Sequence, residues 1–125
     1  VEVQIFGTKK SADTRKAMRF FAERRIRVHF VDLNERPAAP GELKRFAQKF
    51  GVYRLIDRAG KRFAELGLGT ARYSDDRWLE RLAEDPMLIR TPLTRCQNRL
   101  TIGVDENVWK EWVASAAPTK ASGTT

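Results

Sequence analysis

The chain has 125 residues, 42% of them apolar and 32% charged, which fits one domain able to bury a core without disulfides or metals. Lys and Arg outnumber Asp and Glu by 24 to 16, a net charge of +8 that favours anionic partners. The single cysteine excludes an internal disulfide, and no apolar run approaches the roughly 20 residues needed to span a bilayer. Taken in order, residues 1–6 set Val1, Val3 and Ile5 against Glu2 and Gln4, an alternation that predicts a first strand closed by Phe6. The polar loop Gly7-Thr8-Lys9-Lys10 leads to Ser11, a good helix N-cap, because its hydroxyl can accept from a free amide of the first turn. Ala17, Phe20, Phe21 and Ala22 then recur at helical spacing over Ala12 to Arg25.

Ile26 to Leu33 alternates again, so a second strand follows. A helical crossover between two strands makes them parallel. After the loop Arg36 to Gly41, the segment Glu42 to Phe50 carries Leu43, Phe46, Ala47 and Phe50 on one helical face and stops at Gly51. Val52 to Ile56 reads as a helical turn, and Gly60 to Leu66 as a short helix ending at Gly67. Ser74 caps a helix running to about Glu84, with Trp78, Leu79 and Leu82 inward and Asp85-Pro86 as its stop. Met87 to Arg95 is expected to be extended, with Cys96-Gln97-Asn98 as a turn and Arg99 to Gly103 returning as an antiparallel strand.

A last helix begins at Asp105 or Glu106 and carries Val108, Trp109, Trp112 and Val113. Residues 115–125 are small and polar, so the reading gives one domain over residues 1–114 and a flexible tail beyond it. The order β-α-β, helices, β-β-α predicts an α/β fold: a thioredoxin-like βαβ–ββα mixed sheet with a helical insertion between its halves.

Three stretches resemble the ArsC/Spx group of thioredoxin-like proteins, the arsenate reductase-like family, over roughly residues 2–114. The first is Phe6-Gly7-Thr8-Lys9-Lys10-Ser11-Ala12-Asp13-Thr14-Arg15-Lys16-Ala17, similar to the family's glycine loop and cysteine-bearing helix start. The second is Leu55 to Leu68, similar to a segment with an arginine before a short helix. The third is Asp85-Pro86-Met87-Leu88-Ile89-Arg90-Thr91-Pro92-Leu93, similar to His-Pro-x-Leu-Ile-x-Arg-Pro-Ile, with Asn98-Arg99-Leu100 in the returning strand.

In glutaredoxin-coupled arsenate reductases of this group, the resemblance implies a helix-mouth cysteine that attacks arsenate and three arginines that hold the oxyanion. The cysteine position falls on Ser11, and the arginines fall on or near Arg58, on Thr91 with Arg90 beside it, and on Arg99. If the segment is extended, Arg90 points the other way. Pro92 matches the family fold's cis proline, so Thr91-Pro92 is expected to be cis, with both residues close to the site.

Serine at a helix mouth gains little from the dipole and is a poor nucleophile without an adjacent base. The one histidine, His29, lies in the second strand and is expected to be structural or on the surface. Lys9, Lys10, Arg15 and Lys16 crowd the same corner, either as solvated charges or as part of a cationic pocket with Arg99. Cys96 reads as an incidental turn cysteine, with a displaced thiol as the alternative.

The family resemblance therefore implies two functions. One is a non-redox binding or regulatory protein taking a small oxyanion or an acidic protein surface, for which Spx-like engagement of RNA polymerase is the precedent. The other is a glutathione- and glutaredoxin-coupled arsenate reductase with an altered mechanism, or one whose native cysteine was changed to serine. Nucleic-acid binding has only net charge behind it: the densest basic group, Arg24-Arg25-Ile26-Arg27, is too short for a nucleic-acid tail. No cofactor and no metal are expected, and the absence of a secretory pattern at residue 1 makes the cytoplasm the expected location.

Overall fold

The computed structural model describes residues 2–122, the last seven by their backbone only. Strand β1 (Glu2–Gly7) leads through a tight loop into helix α1 (Ala12–Glu23) and returns as β2 (Arg27–Asp32). The two strands pair in parallel, Val3 opposite Val28 and Phe6 opposite Val31. Strands β3 (Leu93–Cys96) and β4 (Arg99–Ile102) form an antiparallel hairpin, and β3 pairs antiparallel with β1. The sheet order is β2-β1-β3-β4.

Between the halves lie α2 (Pro40–Phe50), a 3-10 turn at Val52–Leu55, α3 (Lys61–Glu65), another turn at Leu68–Thr70 and α4 (Asp75–Glu84). The last helix, α5, spans Glu106–Ser122. It continues past residue 114, the expected domain edge; the side chains of residues 116–122 and all of 123–125, which make up most of the expected tail, lie outside the described residues.

Alternation along the strands divides the core in two. Phe6, Val31, Leu93 and Ile102 face α2 and α4 and pack with Phe46, Leu43, Leu82 and Trp78. Val3, Ile5 and Cys96 face α1 and α5, against Phe20, Phe21, Trp109 and Trp112. The sheet thus has helices on both faces, and the start of α1 lies beside the corner ends of β1 and β3.

Local chemistry explains where the elements start and stop. Ser11 and Ser74 cap α1 and α4, their hydroxyls accepting from Thr14 N and Arg77 N at 3.1 Å each. Helix α2 begins at Pro40, two residues earlier than its periodicity suggests, because proline fits the first helical position. Gly51, at φ +89, ends it.

Two expectations are corrected. The segment after Asp85 is not extended throughout: Pro86–Leu88 forms a 3-10 turn, with Pro86 at its first position and Asp85 Oδ1 accepting from Met87 N at 3.3 Å. Cys96 is not in the turn; it ends β3, fully buried on the α1/α5 face, and only Gln97 and Asn98 connect the strands.

Candidate functional site

The loop between β1 and α1 turns sharply, with Ser11 N donating to Thr8 O at 3.1 Å. Gly7 permits this turn to close on the helix, since a Cβ there would run into the Thr14 side chain. Arg15 N donates to Ser11 O at 3.0 Å, the first bond of the helix. The amides of Ala12 and Asp13, at the open end, have no acceptor among the described residues. They are the unpaired donors that every helix start offers to an anion.

Facing this helix mouth, the Thr91-Pro92 peptide is cis, as expected. Thr91 Oγ1 donates to Ser11 Oγ at 3.3 Å, so the serine hydroxyl stands between Thr14 N and the threonine. No base is bonded to it among the described residues. His29 is exposed on β2 and lines two surface grooves, neither of which includes Ser11.

The corner opens into a cleft of about 670 Å³. Thr8, Lys10, Ser11 and Asp13 form one wall; Met87, Arg90 and Thr91 form another; Asp57 and the Ile102-Gly103-Val104 run close it. Gly103 N donates to Pro92 O at 2.8 Å, which fixes the end of β4 beside the cis peptide. Lys10 and Arg90 have no carboxylate partner among the described residues, while Asp13 and Asp57 bring two carboxylates to the same cleft.

The residues singled out in the sequence therefore separate. Ser11, Lys10, Thr91 and Arg90 meet in the cleft. Arg90 reaches it because the preceding 3-10 turn breaks the strand alternation on which the opposite orientation rested. Pro92 flanks it through the cis bond.

Arg15 instead donates to Lys9 O at 2.8 Å, and Lys9 lines a separate groove with Asp32 and Arg36. Lys16 pairs with Glu106 on α5 at 3.4 Å. Arg58 lies over the rings of Tyr53 and Phe63, with its guanidinium carbon 4.5 and 5.2 Å from their centroids.

Arg99 is not at the corner. It pairs with Cys96 at the far end of the hairpin, donating to Ser115 Oγ at 3.4 Å and lying 3.9 Å from Cys96 Sγ. The hairpin register explains this: Leu93 pairs with Ile102, so the corner end of β4 is its last residue and Arg99 its first. Asp57, Met87 and Val104 line the cleft without having been singled out. The signal for Val104 was available, since an antiparallel two-residue hairpin returns the chain to the level of Pro92 at Gly103.

The ArsC family model matches residues 6–112. The chain belongs to the ArsC family. It is 32% identical to the uncharacterized protein YusI of Bacillus subtilis (strain 168) over 106 residues, covering 82% of this chain and 90% of that protein. It is 25% identical to an arsenate reductase of Neisseria meningitidis serogroup A over 105 residues, with the same coverage of 82% and 90%. Among solved structures, the YFFB protein superposes with a TM-score of 0.80 at 20% identity, covering 87% of this chain and 96% of its own. An arsenate reductase from Vibrio cholerae gives a TM-score of 0.72 at 26% identity, covering 81% and 88%.

This ArsC-family chain thus carries the arsenate reductase-like, thioredoxin-like fold with a serine at the mouth of α1. Among the described residues, no group of three His, Cys, Asp or Glu side chains could hold a metal ion. No helix among them is long and apolar enough to cross a membrane.

Proposed function

We propose that this chain is a non-redox member of the ArsC family that uses the mouth of α1 to bind an oxyanion or a carboxylate of a protein partner. The carrying observation is the state of Ser11. Its hydroxyl accepts from Thr14 N and Thr91 Oγ1, with no base beside it among the described residues, at the position where the family's cysteine is expected. A hydroxyl there caps the helix but cannot enter a thiol-arsenate or thiol-disulfide cycle. The single thiol offers no substitute, because Cys96 is fully buried and about 10 Å of strand separates it from Leu93 at the corner end.

What remains suits binding. The Ala12 and Asp13 amides, Lys10 and Arg90 converge on one cleft, and charge-assisted bonds from such donors hold tetrahedral anions and carboxylates.

The second reading is a glutathione- and glutaredoxin-coupled arsenate reductase in which serine stands for the cysteine; relatives bearing the name arsenate reductase favour it. One experiment separates the two. Arsenate reduction with glutathione and glutaredoxin is measured for the native chain and for Ser11→Cys. The binding reading expects no turnover by the native chain, together with saturable phosphate or arsenate binding by calorimetry that weakens in Arg90→Ala. Turnover by the native chain overturns it.

A further inference from the structure

Four large apolar side chains stand exposed among the described residues: Tyr53 at 66%, Met87 at 54%, and Leu66 and Val104 at 36% each. Met87 and Val104 line the Ser11 cleft. Tyr53 belongs to the 3-10 turn that backs the cleft wall. Arg90 N donates to Leu55 O and Asp57 N to Leu88 O, both at 2.8 Å, and Ile56 bridges Ile89. Three of the four exposed apolar groups are therefore on the cleft or on the segment bonded to it.

The cations there lack carboxylate partners, as do Lys44, Lys49 and Arg81 on α2 and α4 among the described residues. Arg45, Lys61, Arg62 and Arg77, on α2, α3 and α4, each have a carboxylate within 4.0 Å. Lys10, Arg90, Arg54 and Arg58 have none among the described residues. Arg54 and Arg58 lie instead over the rings of Phe50 and Tyr53, at 5.1 and 4.5 Å.

A bare oxyanion would use the amides, Lys10 and Arg90 and leave these apolar groups idle. It would also leave most of the cleft empty, since a tetrahedral ion occupies only a few times the ~30 Å³ share of a water molecule and the cleft holds about 670 Å³. Exposed Tyr and Met among unpaired arginines are the residue types that carry binding energy at protein interfaces. The unpaired cations call for carboxylates from the other side.

We infer that the cleft lined by Lys10, Arg90, Met87 and Val104, with Tyr53 exposed on the turn bonded to its wall, docks an acidic segment of a protein partner, with apolar or aromatic side chains interspersed among its carboxylates. One carboxylate meets Arg90, Lys10 and the helix mouth, and flanking apolar side chains cover Met87 and Val104. Asp13 and Asp57 oppose a uniformly acidic ligand, so the apolar groups, rather than charge alone, provide selection. This rests on the reading of the corner as an anion site and adds to it the class of partner.

The test compares poly-glutamate, a random glutamate–tyrosine copolymer, oligothymidylate and inorganic phosphate as ligands of the full chain, by fluorescence anisotropy for the polymers and calorimetry for phosphate. The copolymer is expected to bind about tenfold more tightly than poly-glutamate. Tyr53→Ala and Met87→Ser are each expected to weaken the copolymer about fivefold or more, with poly-glutamate almost unchanged. Phosphate affinity should be the same in Tyr53→Ala as in the native chain, because Tyr53 does not line the cleft.

Equal affinity for the two acidic polymers overturns the proposal, as does indifference of the copolymer to both substitutions. Tighter binding of oligothymidylate than of the copolymer overturns it in favour of nucleic acid. Phosphate binding without copolymer preference leaves the anion site standing and removes the docking surface. Variant-sensitive copolymer binding without phosphate binding supports the docking surface and removes the bare-anion reading.

Discussion

Ser11 does structural work that can be measured separately from any ligand. Its hydroxyl accepts from Thr14 N at 3.1 Å and from Thr91 Oγ1 at 3.3 Å, joining the helix mouth to the segment opposite. Ser11→Ala is expected to cost about 1 kcal/mol in urea denaturation, the usual worth of an N-cap. Ser11→Asp should keep the cap and the stability while abolishing the proposed phosphate binding, because its carboxylate would occupy the helix dipole itself. Equal phosphate affinity in native and Ser11→Asp chains would place the anion elsewhere. Gly7 limits the same corner from below. A methyl group there meets Thr14 Oγ1 and Cγ2, and Thr14 is β-branched and buried, so it cannot swing aside. Gly7→Ala is expected to destabilise by about 1–3 kcal/mol, and adding Thr14→Ala should recover part of that loss.

Among the elements, the connection from α1 to β2 is where one residue could be improved. Ile26 N donates to Phe21 O and Arg25 N to Ala22 O, both at 3.0 Å, the bond pair that closes a helix around a left-handed residue. That residue is Arg25, at φ +60, where glycine is at ease and arginine is not. Arg25→Gly is expected to gain about 0.5–1 kcal/mol in the same denaturation measurement; a loss would mean that the guanidinium makes a compensating contact. This turn shows why the elements were legible in the sequence and the site only partly so. Alternation in residues 2–7 and 27–32, helical spacing at Ala17, Phe20 and Phe21, and serines before two helices are local signals, and the chain obeys them. Arg99 and Arg90 depended on non-local geometry. Arg99 missed the corner because the hairpin register runs from Leu93–Ile102 to Cys96–Arg99, and Arg90 reached it because Asp85 and Pro86 wound the chain into a turn. Asp57 enters through its bond to Leu88 O, a pairing across thirty-one positions that no local pattern announces.

At the level of the whole molecule, two cores hold the cleft from opposite sides of one sheet. The α1/α5 layer fixes the helix mouth, while the α2/α4 layer carries the Asp57 and Met87–Arg90 walls. Trp109 anchors the first layer: it is fully buried, its ring lies 5.3 and 5.4 Å from those of Phe20 and Phe21, and its Nε1 donates to Thr101 Oγ1 at 2.9 Å. Trp109→Ala should cost about 3–5 kcal/mol, a large part of the 5–15 kcal/mol that stabilises a typical domain. Trp109→Phe is the finer probe, because it keeps much of the packing and leaves the buried Thr101 hydroxyl without its donor, a loss of about 1–3 kcal/mol. Thr101 is next to Ile102 and Gly103 on the cleft wall, so β4 is the route by which loss of the tryptophan bond would reach the site. Two bonds argue that it does not. Gly103 N is held by Pro92 O at 2.8 Å, and Thr91 Oγ1 is held by Ser11 at 3.3 Å, both independently of the tryptophan. Trp109→Phe is therefore expected to lower the melting temperature while changing phosphate affinity less than about twofold. A parallel fall in both would mean that the wall of the cleft is set by α5 rather than by the cis-proline strand.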